Sequence, residues 1–241
     1  NAAFAPEDRS VAPNPSMTLV KAATSNRLHV ETAKTMSDDF SAYIEKMSAA
    51  VCSAIGIWLQ QASISGVLIN GPVGILAPGS VKAPPITPLI LSKAPQTTPL
   101  ESKYSNAIAK AVGNAWQQWS STLCGTLQYP SFAAVPAPVA PPTPNIPVPL
   151  LAFSSPGEAL LAPKVLSQAM LTNFGDPNAA HCSALFDALA NGLHAVFTLF
   201  KTTSLVQNVL GTGPVPVYAP PFVPVGPVLG GMGSGAPGCL V

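Results

Sequence analysis

The chain has few charged side chains: 11 basic and 10 acidic residues among 241, or 9% of the sequence, against roughly a quarter in an ordinary soluble domain. Its net charge is +1 and its only arginines are Arg9 and Arg27, so it lacks the basic surface that nucleic-acid binding requires. At 48% apolar residues it is also too hydrophobic for a solvated disordered chain. We therefore expect a folded protein with a sizeable core and no nucleic-acid partner.

Long uninterrupted apolar runs are missing as well. Residues 47–81, 111–157 and 202–241 contain no Asp, Glu, Lys or Arg, but polar residues such as Gln60 and Gln117 interrupt the first two, and prolines recur in all three. Proline leaves backbone groups unsatisfied in lipid, and a span needs about 20 apolar residues. The first ten residues show no apolar core of a signal peptide. The sequence predicts neither a membrane-spanning helix nor a signal peptide.

Motifs for catalysis or metal binding are scarce. The cysteines, Cys52, Cys124, Cys182 and Cys239, form no C-x-x-C pair, which predicts packed free thiols and no zinc site, with a disulfide left open. Asp187 and His194 can share a helix face, but no serine or cysteine lies in a nucleophile-elbow context.

The glycine-rich segment at 230–235 has no strand before it and no helix after it, as a phosphate loop would need, and is interpreted as a flexible or closely packed tail. We expect no enzymatic activity, cofactor or metal.

The strongest positive signal is an internal threefold repeat. Three sets of apolar residues share a 4-3-1-3 spacing, which places them on one face of a helix. An Ala-Pro-Pro motif follows each set, at 83–85, 140–142 and 219–221. The three sets are Met47, Val51, Ala54, Ile55 and Trp58; Ile108, Val112, Ala115, Trp116 and Trp119; and Leu185, Leu189, Gly192, Leu193 and Val196.

Capping patterns define the helices around these sets. Thr98-Pro99-Leu100-Glu101 is a capping box with proline at the first helical position, Asp176-Pro177 resembles it, and Ser37-Asp38-Asp39 places acid in a first turn. The sequence predicts core helices over 38–62, 99–124 and 177–202, with lead-in helices over 17–34 and 164–173.

Each core helix leads into an uncharged arm. Residues 66–71 and 73–76 are short apolar runs separated by an Asn-Gly turn, typical of a hairpin. Residues 135–139 and 215–218 alternate proline with β-branched or aromatic residues, which predicts edge strands or polyproline-like segments. For the Ala-Pro-Pro segments, rigid extended packing against the helices is favoured over a role as ligands for proline-recognising domains.

The predicted fold class is α+β, mainly α, built from three pseudo-repeats of a helix and a Pro-rich extended arm, in a pseudo-threefold arrangement. The segments are an N-terminal part with a lead-in helix (1–36), repeat 1 (37–96), repeat 2 (97–153), and a lead-in helix with repeat 3 and the Gly-rich tail (154–241). Trp58, Trp116 and Trp119 are expected mainly in the core aromatic stripe. The candidate interaction residues are Trp58, Trp116, Trp119, Pro84, Pro85, Pro141, Pro142, Pro220 and Pro221.

The helix at 104–119, the run at 129–134 and the segment at 140–149 resemble repeats in uncharacterised proteins associated with phage tails and contractile injection systems. The resemblance covers most of residues 38–230 and implies a structural component near a trimeric spike, tip or baseplate. It implies a virion or extracellular injection particle assembled in the cytoplasm, with the chain seated on a homotrimer.

A chain with three equivalent surfaces can match such a trimer without mismatch. The predicted function is therefore non-enzymatic assembly, with residues 63–90, 125–150 and 205–230 buried against partner chains or one another. The alternative is a secreted or surface-active protein that engages a target membrane through its apolar arms, which is not favoured.

Overall fold

The computed structural model describes residues 15–132, 138–176, 179, 181–216, 218–219, 223–224 and 226–241, with side chains from residue 29 onward except at 218–219 and 223–224. Its first element is helix α1 (Pro15–Gln61). The predicted boundary between helices 17–34 and 38–62 was wrong, because Ser37-Asp38-Asp39 lies within α1. No glycine or proline occurs between Pro15 and Gly56, and three poor helix formers cost too little to break a helix of this length.

Two of the other four helices that the structure describes, at 99–121 and 163–174, follow their predicted positions closely, the last one begins later than predicted, and the one at 86–91 was not predicted. These helices are α2 (Ile86–Leu91), α3 (Pro99–Ser121), α4 (Pro163–Phe174) and α5 (Cys182–Thr203), with short 3₁₀ turns at Leu150–Ala152 and Pro156–Leu161.

The predicted capping box is confirmed. The Thr98 hydroxyl accepts from the Glu101 amide, the Glu101 carboxylate accepts from the Thr98 amide, and each distance is 3.1 Å. The predicted start of the third core helix at 177 was wrong: α5 begins at Cys182, after His181 in the left-handed region with φ of 62°. Residues 177, 178 and 180 lie outside the described residues.

Eleven strands lie in the described part of the chain. They are β1 (Ser63–Asn70), β2 (Val73–Leu76), β3 (Val81–Lys82), β4 (Gly125–Gln128), β5 (Val139–Pro144), β6 (Val148–Pro149), β7 (Leu205–Val206), β8 (Leu210–Pro214), β9 (Tyr218–Ala219), β10 (Val223–Pro224) and β11 (Leu229–Gly235).

Strands from all three arms form one antiparallel sheet. Its order is β4-β2-β1-β11-β8-β5, with β3 added beside β1. The first arm supplies β1 to β3, the second supplies β4 and β5, and the third supplies β8 and β11. Two further pairs lie outside this sheet, β6 with β7 and β9 with β10.

The balance of helix and strand agrees with the predicted class. Helix exceeds strand, 54% against 22%, and the strands of the main sheet pair antiparallel. The α+β class with a predominance of helix is therefore confirmed.

The arms agree with their predictions in part. The hairpin at 66–76 is present as β1 and β2. The Gly-rich tail is closely packed, because it forms β11 between β1 and β8. Ala140-Pro141-Pro142 lies in the edge strand β5 and pairs with β8, so its predicted packing against the helices was wrong. An edge position suits it because proline has no N–H to donate to a second neighbour.

The sheet is curved enough for its two edges to be linked. The Ile146 amide, just after β5, donates to the Gln128 carbonyl at the end of β4 over 2.7 Å. Buried Asn145 binds the segment that leads into β8, accepting from the Val209 amide at 2.9 Å and donating to the Val206 carbonyl at 3.0 Å. These bonds bring the opposite ends of the sheet together in a partly closed barrel.

Tyr129 fills the concave side of this sheet. The residue is buried, and glycines on three strands face its ring. A Cβ atom at Gly74 would lie 2.8 Å from Tyr129 Cε2, one at Gly211 would lie 2.7 Å from Cε1, and one at Gly233 would lie 2.9 Å from Oη. Real Cβ atoms do not approach this closely, so only glycine allows β2, β8 and β11 to close around the ring.

The chain divides into two compact units, Asn1–Ser48 and Ala49–Val241. The first consists of the N-terminal part of the chain through most of α1. The second holds the sheet and the helices from the end of α1 onward, so the arms of all three predicted repeats belong to one unit.

We predict that Gly211→Ala destabilises the protein by about 1–3 kcal/mol, because the added methyl group overlaps both the Ile69 side chain and the Tyr129 ring. Ser234→Ala, on the exposed side of the neighbouring strand, is the control and should change stability by less than about 0.5 kcal/mol. Urea unfolding followed by circular dichroism measures both. Equal stability of the two variants would contradict the packing described for Tyr129.

We also predict a stability loss at high pH that depends on Tyr129. Burial raises the pKa of Tyr129 to about 12 from an ordinary value of 10.0. The folded state therefore resists ionisation, so the free energy of unfolding should fall as pH rises from 10.0 towards about 12.

Tyr129→Phe should reduce this decline. It should leave stability at neutral pH equal or higher, because the Tyr129 hydroxyl is buried with no hydrogen-bond partner among the residues described. Urea midpoints of both proteins, measured across the alkaline range, test this, and parallel curves would refute it.

Candidate functional site

The three tryptophans predicted from the repeat come together in the second unit. Trp58 at the end of α1 lies 5.4 Å from Trp116 and 5.9 Å from Trp119, both on α3, measured between ring centroids. Phe197 and Phe200 of α5 complete the cluster, at 5.1 Å from Trp119 and 5.4 Å from Trp116 respectively. All three tryptophans are buried. The predicted core aromatic stripe is confirmed.

This cluster contains unsatisfied polar atoms. The indole N–H groups of Trp116 and Trp119 are buried, and neither has an acceptor in the part of the chain that the structure describes. A buried donor without an acceptor costs on the order of 1–3 kcal/mol. The cluster is thus held by ring packing rather than by hydrogen bonds from its indoles.

A small groove opens beside the cluster. We call it the tryptophan–proline groove; its volume is about 100 Å³. Four of the nine candidate interaction residues line it: Trp58, Pro84 and Pro85 from repeat 1 and Trp116 from repeat 2. Its lining residues are Trp58, Ala83, Pro84, Pro85, Ile86, Trp116, Gln117 and Ser120.

The groove has apolar walls and one polar edge. The Ser120 hydroxyl donates to the Gln117 carbonyl at 3.1 Å, and the exposed Gln117 side chain stands at the rim. Pockets for cofactors or drug-sized ligands usually measure roughly 300–1,000 Å³, so this groove suits a single proline ring or aliphatic side chain. Its shape and lining fit a protein contact.

Gly113 positions one wall of this groove. A Cβ atom at Gly113 would overlap the Thr87 hydroxyl and lie 3.2 Å from Thr87 Cα. The missing side chain therefore lets the first turn of α2 approach α3. Pro84 and Pro85 immediately precede that turn, so the same close approach places them at the groove.

The remaining candidate prolines lie elsewhere. Pro141 and Pro142 are in the edge strand β5 of the sheet. Pro220 and Pro221 fall outside the described residues. The first two Ala-Pro-Pro motifs thus occupy different settings, one before a helix and one in a strand.

The structure also shows an exposed apolar surface on the main sheet, whose residues were not identified from the sequence. The convex side of the sheet, which we call the outer sheet face, exposes Ile75, Leu68 and Met232 in one row across β2, β1 and β11. Their exposed fractions are 48%, 54% and 59%. Thr126 on β4 and Thr212 on β8 extend the row at either end.

The apolar row of the outer sheet face is uncharged, and the charged residue of this sheet is the exposed Lys82 on β3, opposite Ser63. Strands β4, β2, β1, β11, β8 and β5 contain no Asp, Glu, Lys or Arg. The signal in the sequence was the continuous apolar run Val67-Leu68-Ile69 in β1, which places Leu68 on the face opposite its neighbours, and the large residue Met232 between glycines. A contiguous exposed row of large apolar side chains is uncommon outside interaction sites.

Helix α5 also exposes apolar side chains, Val196 and Leu199 among them. Within the described residues it is the one helix long and apolar enough to cross a membrane, and 22% of its apolar window is buried. A buried core helix of a soluble protein can be equally long and apolar. Helix α5 packs Phe197 and Phe200 against the tryptophans of α3.

Of the residues considered for catalysis, His194 contacts the backbone. The His194 ring nitrogen Nδ1 lies 3.2 Å from the Leu161 carbonyl, which gives this ring a structural partner. No group of three His, Cys, Asp or Glu residues suited to a metal ion occurs within the part of the chain that the structure describes.

The four cysteines are free thiols. Cys182 and Cys239 are buried and Cys52 is exposed, and burial raises the pKa of Cys239. The prediction of free thiols is confirmed, and the prediction that they are packed in the interior is confirmed for Cys182 and Cys239.

No protein-family model, curated protein or solved structure matches this chain. The functional argument therefore depends on its surfaces.

We predict that Gly113→Ala destabilises the protein by about 1–3 kcal/mol, although alanine is normally the better helix residue. The added methyl group should push α2 from α3 and admit water to Trp116, shifting tryptophan emission to longer wavelength. Gly56→Ala in α1, where a Cβ atom meets nothing within 4 Å, is the control and should be neutral or stabilising. Thermal unfolding and fluorescence measure both variants. Equal effects at the two glycines would contradict the close approach.

Proposed function

We propose that this chain is a non-enzymatic assembly protein that binds neighbouring subunits through its outer sheet face. The observation that carries the proposal is the uncharged row of Ile75, Leu68 and Met232, exposed across three paired strands. Fully burying a large apolar side chain contributes roughly 1.5–3 kcal/mol, so covering this row is a substantial driving force for association. At one end of the row, the exposed Thr126 provides a hydroxyl group for a hydrogen bond at the rim, whereas the Thr212 hydroxyl at the other end donates to the Ala140 carbonyl.

The tryptophan–proline groove supports the same role. A rigid apolar recess of this size takes one side chain from a partner, and its walls of proline and buried tryptophan lose little conformational freedom when it is filled. Specific interfaces commonly place one such anchor in a pocket within a larger contact area.

The larger assembly is part of the proposal. We propose a spike, tip or baseplate component of a phage tail or contractile injection system, in a virion or extracellular particle assembled in the cytoplasm. Its three pseudo-repeats would match a homotrimeric partner. What supports this is the shared helix-and-arm pattern of the sequence and the scarcity of charge in the arms, where Lys82 is the one charged residue of 63–90, 125–150 and 205–230.

Membrane engagement is the second candidate function. The exposed apolar residues of α5 and its hydropathy favour it. The two candidates differ in a liposome flotation experiment, in which an assembly protein stays in the aqueous fraction and a membrane-active one floats with the vesicles.

We predict that the double variant Leu68→Lys/Met232→Lys abolishes incorporation into the assembly, because lysines on this face would have to be buried without partners. Tagged chains would be expressed in the source cells and their lysates separated on density gradients. Wild type should sediment with large particles, and the double variant should remain with free protein. Asn114→Lys, which adds a charge at an exposed site on α3, is the control and should sediment like wild type.

Circular dichroism of the purified variants verifies that both fold. Wild-type chain that remains with free protein, or a double variant that sediments with the particles, would overturn the proposed role of the outer sheet face.

A further inference from the structure

Helix α1 carries an apolar face that is exposed in the described part of the chain. Residues 29–41 are exposed throughout, including the large side chains of Val30, Met36 and Phe40, of which Met36 is 67% exposed. At about 100° per residue, these three and Ala33 lie within about a third of the helix circumference. We call these four residues the α1 stripe. The charged residues of the segment lie on the rest of the circumference, and they are Glu31, Lys34, Asp38 and Asp39.

The spacing of this stripe is that of a coiled coil. Ala33, Met36 and Phe40 are separated by three and four residues, and the same alternation continues to Tyr43 and Met47. Tyr43 and Met47 are buried, whereas the stripe before them is exposed. The same helix face is therefore buried at Tyr43 and Met47 and exposed before them, although the spacing of its apolar residues does not change.

The apolar part of this spacing is short. It runs from Ala33 to Met47, and the equivalent positions before it hold the polar residues His29 and Asn26, then Ala22 and Leu19. Because Tyr43 and Met47 are already buried, a second helix would contact the exposed stripe before them.

We propose that a second copy of this chain covers the α1 stripe, in a parallel, in-register coiled coil. The charges fit this arrangement. With Ala33 and Phe40 at a positions and Met36 at d, the described charges of residues 29–41 occupy b, f and g positions, and Asp39 at g faces the uncharged Ile44 of the other copy. No like charges among these described residues therefore oppose each other across the seam.

A lipid surface fits the stripe less well. Helices that lie on membranes carry Lys and Arg along the sides of the apolar face. Residues 29–46 contain four acidic residues against Lys34 and Lys46, so their charge is net acidic. This inference uses a different surface from the proposed function and does not depend on it.

The test is the mass of the full chain in solution. It is measured in the Leu68→Lys/Met232→Lys background, so that association through the outer sheet face does not contribute. The parent should sediment at equilibrium as a dimer, with twice the 24.6 kDa mass of one chain. Adding Met36→Lys and Phe40→Lys should raise its dissociation constant by at least about tenfold, since lysines would enter the seam.

Asp38→Lys, on the charged side of α1, is the matched control and should leave the mass unchanged. Because the substituted residues are exposed in the single chain, all variants should retain their circular dichroism. A monomeric parent at every concentration, an unchanged dissociation constant with Met36→Lys and Phe40→Lys, or loss of association in the Asp38→Lys control alone would overturn the proposal.

Cysteine cross-linking tests the orientation. In a Cys52→Ser background, which removes the exposed native thiol, Ala33→Cys should form a disulfide-linked dimer under mild oxidation, because parallel in-register helices bring the two a positions together. Asp38→Cys should not. Equal cross-linking at both positions, or none at Ala33→Cys, would overturn the parallel arrangement.

Discussion

The packing of the Tyr129 ring against glycine backbone is the constraint on which the sheet depends. Strands from all three arms must close around one aromatic side chain, and Gly74, Gly211 and Gly233 leave room for it. The ring supplies the apolar volume that the missing side chains do not. Its hydroxyl finds no partner among the described residues, so filling the interior leaves one polar atom unsatisfied. The arms are therefore stable together rather than one by one.

This packing accounts for the unusual composition. Glycines line the concave side of the sheet, prolines occupy its edge at β5, and large apolar residues such as Leu68 and Met232 lie outside. An antiparallel sheet with one face in water usually carries polar and charged residues on that face. The exposed row of Leu68, Ile75 and Met232 departs from this pattern, and that departure supports the proposed contact with a partner.

Local signals were sufficient for α3 and the first hairpin, but not for the continuity of α1, the start of α5 or the existence of α2. Thr98 and Glu101 cap α3 as predicted, and the Asn-Gly turn connects β1 to β2. The pairing of β1 with β11 joins residues more than 160 positions apart, as Val67 with Gly233 shows, and no local pattern encodes it. Strand β11 was missed because glycine has low strand propensity and shows no apolar alternation. The tryptophan–proline groove was not predicted as a groove, although four of the candidate residues line it, because the close approach that Gly113 allows is a tertiary effect.

The edges of the sheet determine how partners can approach it. Pro141, Pro142 and Pro144 leave the β5 edge without a continuous row of donors, and at the β4 edge Ile146 and the Cys124–Ser154 bridge already use backbone groups. Adding a strand from a partner is therefore disfavoured at both ends. In the proposed assembly, a partner would therefore pack face to face on the convex side, at the roughly 10 Å separation of stacked layers. Side-chain complementarity to the apolar row of the outer sheet face, rather than backbone hydrogen bonding, would then decide which subunit binds.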